Sequence, residues 1–404
     1  MKQKLTVTIL LILFSICHFT ALCRVCKPEI DTPFLPQRTI VTEASKKQPF
    51  LKLHGKYTCL LDTASGRVLY GSHENEKVAM ASTTKIMTCL LALEHGNFNK
   101  EVSVSKRAAS MPKVHLGMKA GEAYHLKDLL YSLMLISHND TAVAIAEHIG
   151  GSVEGFAAMM NKRAKEIGMT NTNFVTPNGL DANGHYSTAK DMCLLAAEAM
   201  KNKNFRELIV TPSHTITELH SKRTVTVTNK DMFLSLYEGA VGIKTGFTSH
   251  AGYCFVGAAK KNNALYVCST LACGWPPNKS YKWSDSTNLM NFGFENYKRR
   301  SIPLQTLSNC RIPVIKGNSS FVSCTNVASP VLPVSDFDSI TTEYHIPNYL
   351  KAPVIQNKKI GTVEIKINDN SVLSLPVYPD KSVAKSTFFD KVFVIFNKFA
   401  CHYS

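Results

Sequence analysis

The chain has 404 residues, 45% hydrophobic and 19% charged, which excludes a disordered protein and suffices for about two domains with substantial cores. Its formal net charge of +16 is scattered, with no basic block interleaved with aromatics, so nucleic acid is excluded as a partner. Anionic lipid or an anionic wall polymer suits an exported basic protein better, and the twelve cysteines show no metal-ligand spacing.

In chain order, Lys2 and Lys4 precede an apolar run from Leu5 to Ala21, with small residues Ala21 and Cys23 at cleavage positions. Residues 1–23 therefore read as a signal peptide. A retained membrane anchor is the alternative, but the run is short for a full span. No Leu stands three residues before Cys17, Cys23 or Cys26, which argues against a lipid-modified cysteine.

Residues 50–298 read as the first domain. Residues 57–61 and 67–70 flank the turn 62–66 and are expected to form a hairpin. Residues 80–94 follow as a helix, with Ile86, Cys89, Leu90 and Leu93 at three- and four-residue spacing. Two further helical patterns, 128–135 and 141–148, are interrupted by the polar break Ser137-His138-Asn139-Asp140, where Asp140 suits an N-cap. A helix over 154–168 stops at Gly168, a long Asn/Gly-rich loop spans 170–185, and Thr188 to Asp191 opens another helix with a capping pattern. The period then changes: 224–228, 253–259 and 265–271 read as neighbouring strands, with 241–246 a further strand ending at a glycine. Strands at both ends and helices between them predict an α/β sandwich with a mainly antiparallel sheet. Residues 299–380 are expected to form a small all-β domain, within which Cys310 and Cys324 are candidates for a disulfide. The amphipathic segment 386–400, with Phe388, Phe389, Val392, Phe393, Phe396 and Phe399 on one side, is expected to lie in a membrane interface.

The chemistry concentrates in three places. Ser82 and Lys85, three residues apart, share a face of the 80–94 helix. A serine hydroxyl becomes a competent nucleophile when a neighbouring amine, its pKa lowered by burial, accepts the proton. The helix N-terminus adds partial positive charge beside an oxyanion. Spacing alone is permissive, since Ser103/Lys106, Ser110/Lys113, Ser187/Lys190 and Ser382/Lys385 share it; what distinguishes Ser82 is an apolar helix that would keep Lys85 from water. Ser137 and Asn139 supply polar groups inside a strongly apolar context. Lys244-Thr245-Gly246 offers a fixed charge, a hydroxyl and a close backbone approach at a strand end, and this tripeptide occurs once in the chain.

Taken in order, Ser82-Thr-Thr-Lys85, Ser137-His-Asn139 and Lys244-Thr-Gly246, with their flanks and the stretch Gly-His-Tyr-Ser-Thr-Ala-Lys-Asp-Met around His185, resemble the low-molecular-mass penicillin-binding proteins, the serine-type D-alanyl-D-alanine carboxypeptidases. The resemblance covers about residues 57–297, and more loosely the small β-domain and amphipathic tail. It implies that Ser82 attacks the carbonyl of the penultimate D-alanine with Lys85 as proton acceptor. It further implies that Ser137 relays a proton to the leaving nitrogen and that Asn139 orients Lys85 and the substrate amide. Lys244 would support the relay and Thr245 bind the terminal carboxylate, beside Gly246, with the backbone N–H groups of Ser82 and Phe247 holding the oxyanion. The implied partners are peptidoglycan stem peptides ending in D-Ala-D-Ala and β-lactam antibiotics, with no metal or organic cofactor, at the outer face of the cytoplasmic membrane or the cell wall. Met80 stands where that family usually has proline. His138 replaces a commoner glycine or alanine, and is expected to narrow the cleft or add a group titrating near neutrality. The rival readings are a β-lactamase, for which Glu147, Glu154 and Glu166 lack the expected local loop motif, and a silent peptidoglycan-binding scaffold, against which the intact motifs argue.

Overall fold

A computed structural model describes residues 38–388 and 392. The segment 1–23 and most of 386–400 lie outside the described residues. Among the described residues no helix is long and apolar enough to cross a membrane. The chain divides into two compact units, one of Ala44–Ser301 with Val331–Phe337, the other of Ile302–Pro330 with residues 38–43 and 338–388. Each unit borrows a segment from elsewhere in the chain: Val331–Phe337 joins the larger and residues 38–43 join the smaller. The borrowing follows from strand pairing: Lys298–Ser301 pairs with Val331–Val334, and Arg38–Thr42 pairs with Ile340–His345.

The larger unit is built on strands β1 (Tyr57–Asp62), β2 (Val68–Ser72), β3 (Ala240–Thr248), β4 (Gly252–Lys261) and β5 (Ala264–Leu271), in the order β2-β1-β5-β4-β3. Every neighbouring pair is antiparallel. Successive side chains alternate between two cores. Cys59 and Leu61 of β1, Cys254, Val256 and Ala258 of β4, and Val267 of β5 join one core, while Leu60, Phe255, Tyr266 and Cys268 join the other. Both faces are covered, which is why these strands read as continuous apolar runs. The first core is closed by helices α1 (Lys85–His95), α2 (Leu126–Tyr131), α3 (Asn139–Gly150), α4 (Val153–Ile167) and α5 (Ala189–Ala199). The second is closed by α6 (Tyr281–Asn296), through Trp283, Leu289, Met290 and Phe292.

Local chemistry sets the boundaries. Ser152 and Thr188 cap α4 and α5 by accepting the N–H of Gly155 and Asp191, and α4 stops at Gly168, whose φ of +88° suits a residue without Cβ. Three expectations are corrected. Residues 224–228 are not in the main sheet; Thr224–Thr228 pairs with Ser213–Thr217 in a separate ribbon, because its Val/Thr alternation supplies only one apolar face. The helix expected over 80–94 begins as a 3-10 turn, Ala81–Thr84, before α1 starts at Lys85. Asp140 is not the N-cap, a position His138 takes; its carboxylate accepts the Thr141 N–H at 2.8 Å within the first turn and those of Leu116, Gly117 and Met118 at 3.0, 3.0 and 3.3 Å, pinning that loop.

The smaller unit is all-β. Arg38–Thr42, Ile340–His345, Gly361–Ile367 and Asn370–Val377 form an antiparallel sheet, and Arg311–Ile315 lies between Phe321–Ser323 and Leu350–Lys351 in another. Cys310 and Cys324 sit opposite one another in its core as free thiols, with the Cys324 N–H donating to Cys310 O at 3.3 Å.

Candidate active site

Ala81–Thr84 is a tight turn held from several sides. Ala81 has φ +48°, a left-handed conformation that costs an alanine about 1 kcal/mol or more and persists only where the surroundings enforce it. Thr83 Oγ1 donates to Met80 O at 2.6 Å and Thr84 Oγ1 to Ala81 O at 2.8 Å. His185 completes the brace. Its Nδ1 accepts the Val175 N–H at 3.0 Å, which leaves the proton on Nε2 to be donated to Thr84 Oγ1, also at 3.0 Å. Burial lowers the His185 pKa to about 4, so the ring stays neutral and the tautomer fixed. Gly179, at φ +81°, backs onto the same turn, where a Cβ would lie 2.0 Å from Ala81 O.

This brace presents Ser82. Lys85 Nζ lies 2.9 Å from Ser82 Oγ, 2.9 Å from Asn139 Oδ1 and 2.5 Å from Asn178 O. The lysine is fully buried. Its pKa falls well below the ordinary value, first from burial, then from the nearby charge of Lys244, with Asp140 opposing. A neutral amine has two N–H groups and one lone pair. The two carbonyl oxygens take the N–H groups, which turns the lone pair to the Ser82 hydroxyl. Asn139 is held by donation of its Nδ2 to Pro112 O at 3.2 Å and of its backbone N–H to Val114 O at 2.8 Å.

Ser137 ends a π-helical turn, Ser132–Ile136, with φ +82°, and its buried Oγ makes no hydrogen bond. A buried hydroxyl without a partner is unusual and suits a group that waits for a ligand. His138 turns into the protein: its Nδ1 lies 2.8 Å from Ser132 Oγ, which contacts Thr141 Oγ1 at 2.9 Å. Burial lowers its pKa to about 4, so it adds no group titrating near neutrality.

On the other side, strand β3 lies against the Ser82 turn. A Cβ on Gly246 would sit 2.9 Å from Ser82 N and 3.1 Å from Thr83 N, so only glycine allows this approach. The next amide along the strand, that of Phe247, is one peptide away; the Phe247 ring is 41% exposed and packs on Tyr253 at 4.7 Å. Lys244 is buried, with Nζ 3.3 Å from Thr245 O. Burial lowers its pKa to about 8, opposed by the charge of Asp231. Thr245 is half-buried.

The structure thus brings Ser82, Lys85 and Asn139 into direct contact and Gly246 against them, with Lys244 coupled through charge. Ser137 and Thr245 flank this centre without a hydrogen bond to Ser82 or Lys85. Sequence reasoning missed Asn178, which holds Lys85, as well as the Thr84–His185 brace and Asp231. For Asn178 the Asn-Gly pair in a polar loop was the available signal.

A nucleophilic hydroxyl with a desolvated amine as its base, on an antiparallel sheet closed by helices on both faces, defines a serine hydrolase of the serine–lysine kind. The chain belongs to the D-alanyl-D-alanine carboxypeptidase family, which residues 42–272 match; residues 300–385 match the C-terminal domain of penicillin-binding protein 5. It is 31% identical to the D-alanyl-D-alanine carboxypeptidase DacF of Bacillus subtilis over 85% of this chain and 89% of that one. It is 32% identical to the D-alanyl-D-alanine carboxypeptidase of Streptomyces strain K15 over 61% of this chain and 89% of the relative. The fold matches penicillin-binding protein 5 of Haemophilus influenzae with a TM-score of 0.69, at 24% identity, over 84% of this chain and all of that one.

Proposed function

We infer that the protein removes the terminal D-alanine from peptidoglycan stem peptides ending in D-Ala-D-Ala, through an acyl-enzyme on Ser82, and that penicillin acylates the same serine. The observation that carries this reading is the buried Lys85 amine, whose two N–H groups are taken by Asn139 and Asn178 while its lone pair meets Ser82 Oγ. The Ser82 proton passes to Lys85 Nζ as Oγ bonds to the carbonyl carbon of the penultimate D-alanine. The oxyanion that forms is held by the backbone N–H groups of Ser82 and Phe247. The C–N bond then breaks as Ser137 Oγ hands its proton to the leaving nitrogen and takes one from the Lys85 ammonium, which returns the lysine to its neutral form; the charge of Lys244 supports this relay and Thr245 holds the terminal carboxylate. Water, deprotonated by the same lysine, releases the shortened peptide and restores Ser82.

A β-lactamase would need a glutamate to drive deacylation. Glu154 and Glu166 form surface ion pairs with Arg107 at 2.9 Å and Arg163 at 3.5 Å. Glu147 sits eight residues beyond Asn139 on α3, about 12 Å along the axis. Residues 1–23 as a signal peptide, 50–298 as the catalytic domain, 299–380 as the β-domain and 386–400 as a membrane-associating helix complete the reading, and place the enzyme outside the cytoplasm.

Mass spectrometry after penicillin exposure tests it: a long-lived adduct should map to Ser82, and D-alanine release from a D-Ala-D-Ala peptide should vanish in Ser82→Ala. An adduct on another serine, or equal release by the variant, sinks the assignment.

A further inference from the structure

The Ser137 hydroxyl is buried and makes no hydrogen bond, so no polar contact fixes its direction and it goes where its backbone puts it. That backbone is left-handed, with φ +82° and ψ +31°, a conformation that a serine keeps only where its neighbours hold it. On one side the hold is Asn139, fixed by Val114 O and Pro112 O. On the other side it is Ser132, at the start of the preceding π-helical turn. The Ser132 carbonyl accepts the Ser137 N–H at 3.2 Å, the long end of the range, and the Ser132 hydroxyl meets His138 Nδ1 at 2.8 Å.

Ser132 is fully buried, and its Oγ also lies 2.9 Å from Thr141 Oγ1. Proton counting orders this row of groups. The buried ring is neutral, so Thr141 donates to Ser132, Ser132 donates to His138 Nδ1, and the ring proton stays on Nε2. The reverse order would leave the Thr141 proton without an acceptor among the described residues. A helical serine often returns its hydroxyl to the carbonyl four residues back; Ser132 gives its proton to the ring instead.

We propose that His138, clamped by Ser132, is a positioning residue for Ser137: the ring anchors the left-handed turn that aims the Ser137 hydroxyl at the leaving nitrogen. This rests on the reading above, in which Ser137 Oγ passes its proton to that nitrogen as the C–N bond breaks and takes one from the Lys85 ammonium. With alanine at 138 the turn keeps only the long backbone bond to Ser132 on that side. Proton delivery then suffers while the attack of Ser82 does not, because Lys85 is held by Asn139 and Asn178.

The test separates the two by leaving group. One substrate is a peptide ending in D-Ala-D-Ala, whose amine cannot depart without a proton. The other is a thioester with the same acyl part, whose C–S bond breaks to a thiolate that needs none. In the full-length enzyme His138→Ala should lower kcat/KM for the peptide by about tenfold to a hundredfold, within the reach of a general acid, and leave the thioester within about threefold. Ser132→Ala keeps the ring but removes its anchor, and should show the same preference. His138→Asn sets Oδ1 where Nδ1 stood, accepts the Ser132 hydroxyl, and should restore most of the loss. An equal fall on both substrates marks a structural role and overturns the proposal, as does no fall on either. Ser137→Ala is the control. If it favours the thioester while His138→Ala does not, the relay stands and the positioning role is rejected; if it shows no such preference, the relay is rejected and the proposal with it. Ring ¹⁵N shifts read the clamp without turnover, and should show Nδ1 bare and Nε2 protonated at about pH 6. A His138 ring that titrates near its ordinary value of about 6.5 is not clamped, which overturns the proposal whatever the rates. A clamped ring in a wild type that turns over neither substrate rejects the peptidase reading, and the positioning role with it.

Discussion

The contact between Gly246 and the Ser82 turn makes a quantitative demand. In Gly246→Ala the new Cβ would stand 2.9 Å from Ser82 N, 3.1 Å from Ala81 Cβ and 3.1 Å from Thr83 N. Ordinary contacts between such atoms begin near 3.5 Å, so strand and turn must separate by about 0.5 Å or more. The turn cannot yield. Its Thr83 and Thr84 hydroxyls are bonded back to Met80 O and Ala81 O, His185 locks Thr84, and Gly179 is packed on Ala81. The strand therefore retreats, and it carries Lys244, Thr245 and the Phe247 amide with it. Overpacking of this kind costs about 1–3 kcal/mol of stability, which lowers Tm by roughly 2–10 °C for a unit of this size. The effect on chemistry should be larger, because a displacement approaching 1 Å at a positioned group costs on the order of 10²-fold in rate. The assay is the second-order rate of Ser82 acylation by a fluorescent penicillin, with thermal unfolding alongside. Gly246→Ala should acylate about a hundredfold more slowly while still unfolding cooperatively. Acylation within threefold of wild type would show that the strand does not hold the reacting geometry.

Three further outcomes follow from the same geometry. Acylation should follow a bell-shaped pH profile whose alkaline limb centres near 8, where Lys244 loses its proton; a rate still rising at pH 9.5 would remove Lys244 from the charge-bearing role. Lys244→Met should abolish acylation yet raise stability at pH 7 by about 1–3 kcal/mol, since burial makes the charge costly. Below about pH 8 both folded and unfolded chains carry that proton and the cost is complete. Between about 8 and 10.5 the unfolded chain keeps a proton that the folded one has released, so wild-type stability rises with pH there and the gain in the variant shrinks. Asn139→Ala leaves a Lys85 N–H without its acceptor in a buried site, and should lower acylation by about 10²-fold or more while penicillin adducts still map to Ser82; a rate within fivefold of wild type would contradict the orienting role.

The main sheet and the helices around it were legible because their apolar period is strong and their ends carry local signals, such as Thr188 before α5 and Gly168 after α4. The helix of the nucleophile was legible as a helix but not as a 3-10 turn, because the left-handed Ala81 is imposed by Gly179 and His185 from another part of the chain. Thr224–Thr228 shows the same limit: its pattern identifies a strand, while its partner depends on which faces other segments cover. Asn178 holds Lys85 through a backbone carbonyl, so the Asn-Gly pair signals a turn there but not which group that turn presents to the lysine. His138 misled for a similar reason, since its titration is set by burial against Ser132 rather than by its place between Ser137 and Asn139.

Two buried lysines in one site cannot both hold a proton at low cost, and the structure assigns the charge between them. Each lowers its charged form by burial, and the charge on Lys244 lowers Lys85 further. Lys85 meets two carbonyl acceptors and one hydroxyl, a set that a neutral amine satisfies completely. Lys244 has a single backbone acceptor and faces the field of Asp231, which favours its proton. Deprotonation of the pair therefore begins at Lys85, leaving a base beside the nucleophile and a cation on the strand. Asp231 has a buried carboxylate oxygen without a partner, and burial raises its own pKa to about 6. Below that pH it protonates and stops supporting Lys244, so Asp231→Asn should shift the alkaline limb of acylation to lower pH while the position of the acid limb, set by Lys85, moves less. An alkaline limb unchanged in that variant would mean that Lys244 keeps its charge without Asp231.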